Sequence, residues 1–140
     1  MNTPVDRLHL LAALAYAMLG LGIGIHMAAS HDHGQAVTHA HLLLVGFLLS
    51  FAYAVIGRVW LPGRRGLLRT LQFYVHHAGA AGLVSGLFLL YSGRLSLAAL
   101  EPLLAGSSIL VLLALVLMSV MAVRAESASP ERAAIRPAAG

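Results

Sequence analysis

The chain has no cysteine, all nine of its basic residues are arginine, and only 10% of its residues are charged. Without cysteine there is no disulfide, no thiolate ligand and no covalent c-type haem attachment through a Cys-x-x-Cys-His motif. Any iron or copper must be held by His, Met, Tyr or carboxylate. Soluble globular chains carry about 25% charged residues. So little charge cannot cover a water-facing surface, which excludes an ordinary soluble domain.

What is present is apolar. The 140 residues are 59% hydrophobic, with a mean hydropathy of +0.85. Four segments, Leu8–Ala29, Val37–Val59, Leu71–Tyr91 and Pro102–Val123, each reach the roughly 20 helical residues that cross a hydrocarbon core. The fold class expected is all-α, a polytopic membrane four-helix bundle forming one domain over residues 1–124. Residues 125–140, rich in Ala, Pro, Ser, Glu and Arg, read as a disordered cytoplasmic tail. Pro102 suits the first turn of helix four, where a missing N–H is harmless. The first segment is too long for the h-region of a signal peptide, and its n-region holds only Arg7 beside Asp6.

The formal charge of +4 is topological and does not point to nucleic acid. Arg58, Arg64, Arg65 and Arg69 cluster between helices two and three. Arg124, Arg132 and Arg136 follow helix four, Arg7 precedes helix one, and only Arg94 falls on the other side. The positive-inside rule then puts both termini in the cytoplasm and turns Ser30–Ala36 outward. The localisation expected is a bacterial inner membrane, crossed several times, with the lipid bilayer as the first partner. Gly20, Gly22 and Gly24 resemble a nucleotide loop only superficially and read as close helix packing.

Eight histidines stand out in this background, because an ionisable group inside a bilayer is costly and marks a functional-site hypothesis. Folding helices one and two as a hairpin about residue 32 brings His26 level with His39 and His41. Folding helices two and three about Pro62 and Gly63 puts His76 level with Ser50. At about 1.5 Å per residue, His41 and His76 then differ by roughly 14 Å in depth, so His26 with His39 or His41 is the easier pair for one iron within one chain, and His76 suits a second, inner site or one shared between chains. His39 and His41 point to opposite faces of their helix. His39 shares its face with Gly46, Ser50 and Gly57, and His41 with Val45, Leu48 and Ala52. His76 borders a groove of Gly79, Gly82 and Gly86, and His77 points about 100° away. His31, Asp32 and His33 lie in the outward link. His9 reads as an interfacial polar residue, and Met27, Met118 and Met121 as apolar packing, with Met27 beside His26 an alternative soft ligand.

The run from Thr38 through His39, Ala40, His41 and the following apolar residues to Phe47, closing near Pro62, resembles the second transmembrane helix of haem-copper oxidase subunit I and of the nitric oxide reductase large subunit. From about Leu11 to Val123 the chain resembles the small four-helix proteins described as cytochrome-oxidase-subunit-I-like. Phe73-Tyr74-Val75-His76 followed by Gly79 is similar to their third-helix pattern, and Gly106 with its Leu/Val run to their fourth. The resemblance implies that His41, with His39 as alternative, is an axial ligand of a b-type haem. The catalytic oxygen- or nitric-oxide-reducing centre does not carry over, because the large enzymes' other ligands lie on helices this chain lacks.

The function expected is a haem b-binding membrane protein in electron transfer or haem or gas sensing. Its candidate ligands are His41, His39, His76 and His26, and its assembly a homo-oligomer, first of all a dimer, with an unidentified redox partner. A second reading is a periplasm-facing copper or zinc binding or transport protein, with His26, His31, Asp32, His33, His39 and His41 converging on an outer mouth. A third is a minimal oxygen or nitric oxide reductase. A fourth is an accessory subunit with vestigial histidines, and no enzyme activity is assigned.

Overall fold

A computed structural model describes residues 4–61 and 66–127. Its four long helices are α1 (Pro4–Ser30), α2 (Ala36–Val59), α3 (Leu67–Tyr91) and α4 (Leu97–Ser127). Among the described residues there is no strand. All four helices are long and apolar enough to cross a membrane. Leu, Ile, Val and Met side chains such as Met18, Ile25, Ile109 and Leu112 stand exposed on their outer faces, as lipid contact requires. The expected turn at Pro62 and Gly63, Arg64, Arg65, Arg132, Arg136 and most of the expected tail lie outside the described residues.

The helices begin earlier than the apolar runs do, because helix continues into the polar edge where backbone groups still bond internally. α1 takes in Asp6, and α3 takes in Arg69. Residues 125–127, expected in a disordered tail, are the last of α4. Pro102 is expected in the first turn of helix four. α4 instead begins at Leu97, so Pro102 lies inside the helix and withholds the bond that would reach the Ala98 carbonyl. The start is set by Ser96, whose Oγ accepts the Ala99 N–H at 3.4 Å in the manner of an N-cap.

The ends of the other helices have identifiable causes. α3 stops in a Schellman motif: Gly93 adopts φ +68°, Gly93 N–H reaches Leu90 O and Arg94 N–H reaches Leu89 O. α1 stops with His31 in the same left-handed region, φ 56°, and Gly34 N–H bonds Asp32 Oδ1 at 2.9 Å. Gln35 then spans this end of the bundle, receiving Thr38 Oγ1–H and donating to the Phe88 carbonyl.

α2 carries the least regular backbone. Over Leu42–Leu49 it widens into π-helical turns. On a regular helix every fourth residue drifts about 40° around the axis. Turns closed from i to i+5 wind less per residue and offset that drift. The result is one continuous buried face of Thr38, Leu42, Gly46 and Ser50. α1 and α2 pack as an antiparallel pair, with Gly46 against the Tyr16 ring. α4 lies along α3, where Gly79, Gly82 and Gly86 meet Ser107, Leu110, Leu103 and Leu104. The glycine groove beside His76 is therefore the seat of α4. Met118 and Met121 close an apolar core with Tyr53 and Leu61.

Candidate functional site

Two histidine groups result, at different depths. The first group, beside the α1–α2 link, is built on the start of α2. His39 turns toward α1: its Nδ1 lies 2.8 Å from the Gly20 carbonyl, and a Cβ on Gly24 would come within 2.9 Å of its ring. Glycine at position 24 is what lets this imidazole lie against helix backbone. His41 turns the other way and bonds the Val37 carbonyl of its own helix at 2.8 Å. A carbonyl oxygen only accepts, so both rings donate Nδ1–H and keep their lone pair at Nε2. Both are half-buried.

His26 is exposed and lines a groove of about 610 Å³ between α1, the α1–α2 link and the end of α3, with Ile23, Phe88 and Tyr91 among its walls. His31 and His33 are exposed in the link. Among the described residues no group of three or more His, Asp or Glu side chains is arranged to hold a metal ion. The side chains expected to converge on an outer mouth share a level without forming a coordination cluster.

The inner group is more tightly built. His76 is fully buried on α3, and its Nε2 is 2.8 Å from Ser50 Oγ on α2. This is the depth that the α2–α3 hairpin predicts, and nine positions of α2, across the π-helical turns, separate Ser50 from His41. Around it stand His9 from α1 and the neighbouring His77, with ring centroids 6.1 Å and 4.8 Å away. Tyr53 meets His76 edge-on at 4.9 Å. Phe73 packs on both His9 and His77.

The hydrogen bonds in this group have a direction. Gln72 Oε1 accepts from His9 Nε2–H at 3.0 Å. His9 Nδ1 is then the acceptor, so His77 Nε2–H donates to it at 3.2 Å. One turn toward the end of the bundle, Arg69 Nη2 donates to Asp6 Oδ1 in a buried ion pair. Arg69 Nη1 reaches the Leu61 carbonyl at 3.3 Å. Gly57 lies beneath that pair, and a Cβ there would strike both side chains. Among the described residues, three buried polar atoms, Tyr53 Oη, Gln72 Nε2 and His76 Nδ1, find no hydrogen-bond partner.

His9, expected at the interface, and His77, expected to point away from the glycine groove, both stand beside His76. Arg69, read as part of a cationic link, is 6% exposed and enters the core. A signal was present. Asp6, His9 and Ala13 on α1, and Arg69, Gln72, His76 and Gly79 on α3, recur at three- and four-residue spacing and are all buried. The charged members, Asp6 and Arg69, lie before the apolar runs that begin at Leu8 and Leu71, so each polar stripe is only partly within its run.

No protein-family model, no curated protein and no solved structure matches the chain. Its chemistry is read from these two groups alone.

Proposed function

We propose that the chain is a haem b-binding membrane protein whose outer imidazoles, His41 first and His39 as its alternative, supply axial ligands. The observation that carries this reading is the fixing of both rings by Nδ1–H···O=C bonds. That contact selects the tautomer and orientation an Nε2 ligand needs. Haem bound there would supply one-electron chemistry or a gas-binding iron.

His76 does not suit the role within the same chain. Its Nε2 faces Ser50, nine positions along α2 from His41, and its ring is packed against Tyr53. The second ligand is therefore proposed to come from a second copy, in a homodimer, or from His26 at the same outer level. Both termini are proposed to face the cytoplasm, because Arg7, Arg58, Arg69 and Arg124 occupy one end of the bundle and Arg94 the other.

The test is an optical spectrum of protein purified from haem-replete cells, oxidised and reduced. A Soret band with paired α and β bands is expected, and His41→Ala should remove the low-spin bands while leaving the helical circular dichroism unchanged. Colourless protein that takes up no haem on reconstitution would sink the reading.

A second reading, proton handling by the inner group, is favoured by a separate observation: Tyr53 Oη, Gln72 Nε2 and His76 Nδ1 are buried polar atoms without partners among the described residues. Such atoms are expensive in a membrane and mark polar pathways. Proteoliposomes with an internal pH dye and a potassium diffusion potential test it. Proton entry lost in His76→Leu is expected on this reading, and entry equal to that of empty vesicles is the contrary result.

A further inference from the structure

A groove of about 340 Å³ runs between the first turns of α1 and the last turns of α2. Arg7 and Arg58 line it, and both are exposed. Its walls include Leu10, Phe51, Val55 and Val59, which are exposed apolar side chains. Asp6 also borders the groove, but its carboxylate is committed to the buried ion pair with Arg69. Those two charges offset each other. Among the described residues neither Arg7 nor Arg58 enters an ion pair.

Two guanidinium groups lining one groove repel each other, and an anion between them relieves that repulsion. The apolar walls belong to spans long enough to cross the bilayer, and α2's span ends at Val59. The arginines therefore lie where headgroups begin, and the hydrophobic part of the groove runs inward from them. A soluble anion would use only the charged end. An anionic lipid uses both, and basic recesses between helices at the membrane edge suit such headgroups.

We propose that this groove binds one anionic phospholipid, with its phosphodiester between Arg7 and Arg58 and one acyl chain along Leu10, Phe51, Val55 and Val59. The site is independent of the histidine groups and of any haem, because none of its lining residues belongs to them. A bound lipid would tie the first turn of α1 to the last turn of α2. Those turns also frame the Asp6–Arg69 pair.

The test uses the full chain purified in a neutral detergent. Native mass spectrometry after addition of phosphatidylglycerol is expected to show one lipid retained per chain, and phosphatidylcholine at equal concentration should be lost. The thermal midpoint should rise with phosphatidylglycerol and not with inorganic phosphate. Arg7→Gln and Arg58→Gln should each weaken retention by about fivefold. Both lie on exposed side chains, and the wild-type comparison of lipids decides the matter even if a variant misfolds. Equal retention of phosphatidylcholine would overturn the proposal. So would a midpoint raised as much by inorganic phosphate, or unchanged phosphatidylglycerol retention in a folded double variant.

Discussion

Arg69→Met is expected to lower the stability of the bundle by about 3–5 kcal/mol, the usual consequence of removing one partner from a buried ion pair. The side chains of Arg69 and Asp6 are 7% and 8% exposed, so neither charge is hydrated when its counter-ion is removed. Asp6→Asn should act in the same direction. The guanidinium also reaches the Leu61 carbonyl, so the loss loosens α3 from the end of α2 as well as from α1. The double change Asp6→Leu with Arg69→Met should recover much of the loss, since apolar replacement of a whole pair is often neutral or stabilising. Thermal midpoints in detergent, read by the monodisperse fraction on gel filtration, measure all three. A single variant as stable as wild type would show that the pair is hydrated. Gly57→Ala supplies an independent check, because its new methyl group must displace the same two side chains.

Gly79→Ala is expected to cost about 1–3 kcal/mol, and Gly79→Leu more, by forcing α4 off α3. A Cβ at Gly79 would lie 2.9 Å from Leu110 Cβ, from Ser107 O and from Val111 N. Two of those atoms are backbone, so no rotamer change relieves the contact and the helix itself must move. In a bilayer, helices associate through close packing of small residues rather than by escape from water, which makes this seat decisive for α4. Gly22→Ala and Gly106→Ala are the controls. Nothing lies within 4 Å of a Cβ at either position, and replacing glycine inside a helix should add about 0.5–1 kcal/mol. Losses of equal size at all three sites would mean that helix propensity, not packing, governs the result.

The long apolar runs made four helices legible because a bilayer offers backbone groups no partner but one another. The hairpin arithmetic likewise anticipated that His76 meets Ser50, since antiparallel helices joined by short links must keep register in depth. It did not anticipate His9 and His77 as neighbours of His76. Depth alone does not say which helix stands across from which, and α1 had to be placed against α3 before His9 could reach Gln72. The π-helical turns of α2 were equally hidden. They leave no signature in a run of Leu, Val, Gly and Phe, yet they keep Thr38 and Ser50 on one face.

By itself the sequence determined the solvent: with so few charges and four apolar spans, the chain has only lipid in which to fold. It also determined that the arginines gather at one end and that His41 and His76 lie at different depths. Only the tertiary structure decided which polar groups meet. Asp6 and Arg69 are 63 positions apart, as are His9 and Gln72, and no local pattern couples them. In a bilayer an unpaired charge is so expensive that such partners must find each other. Which partners they find is settled by the order in which four similar helices pack.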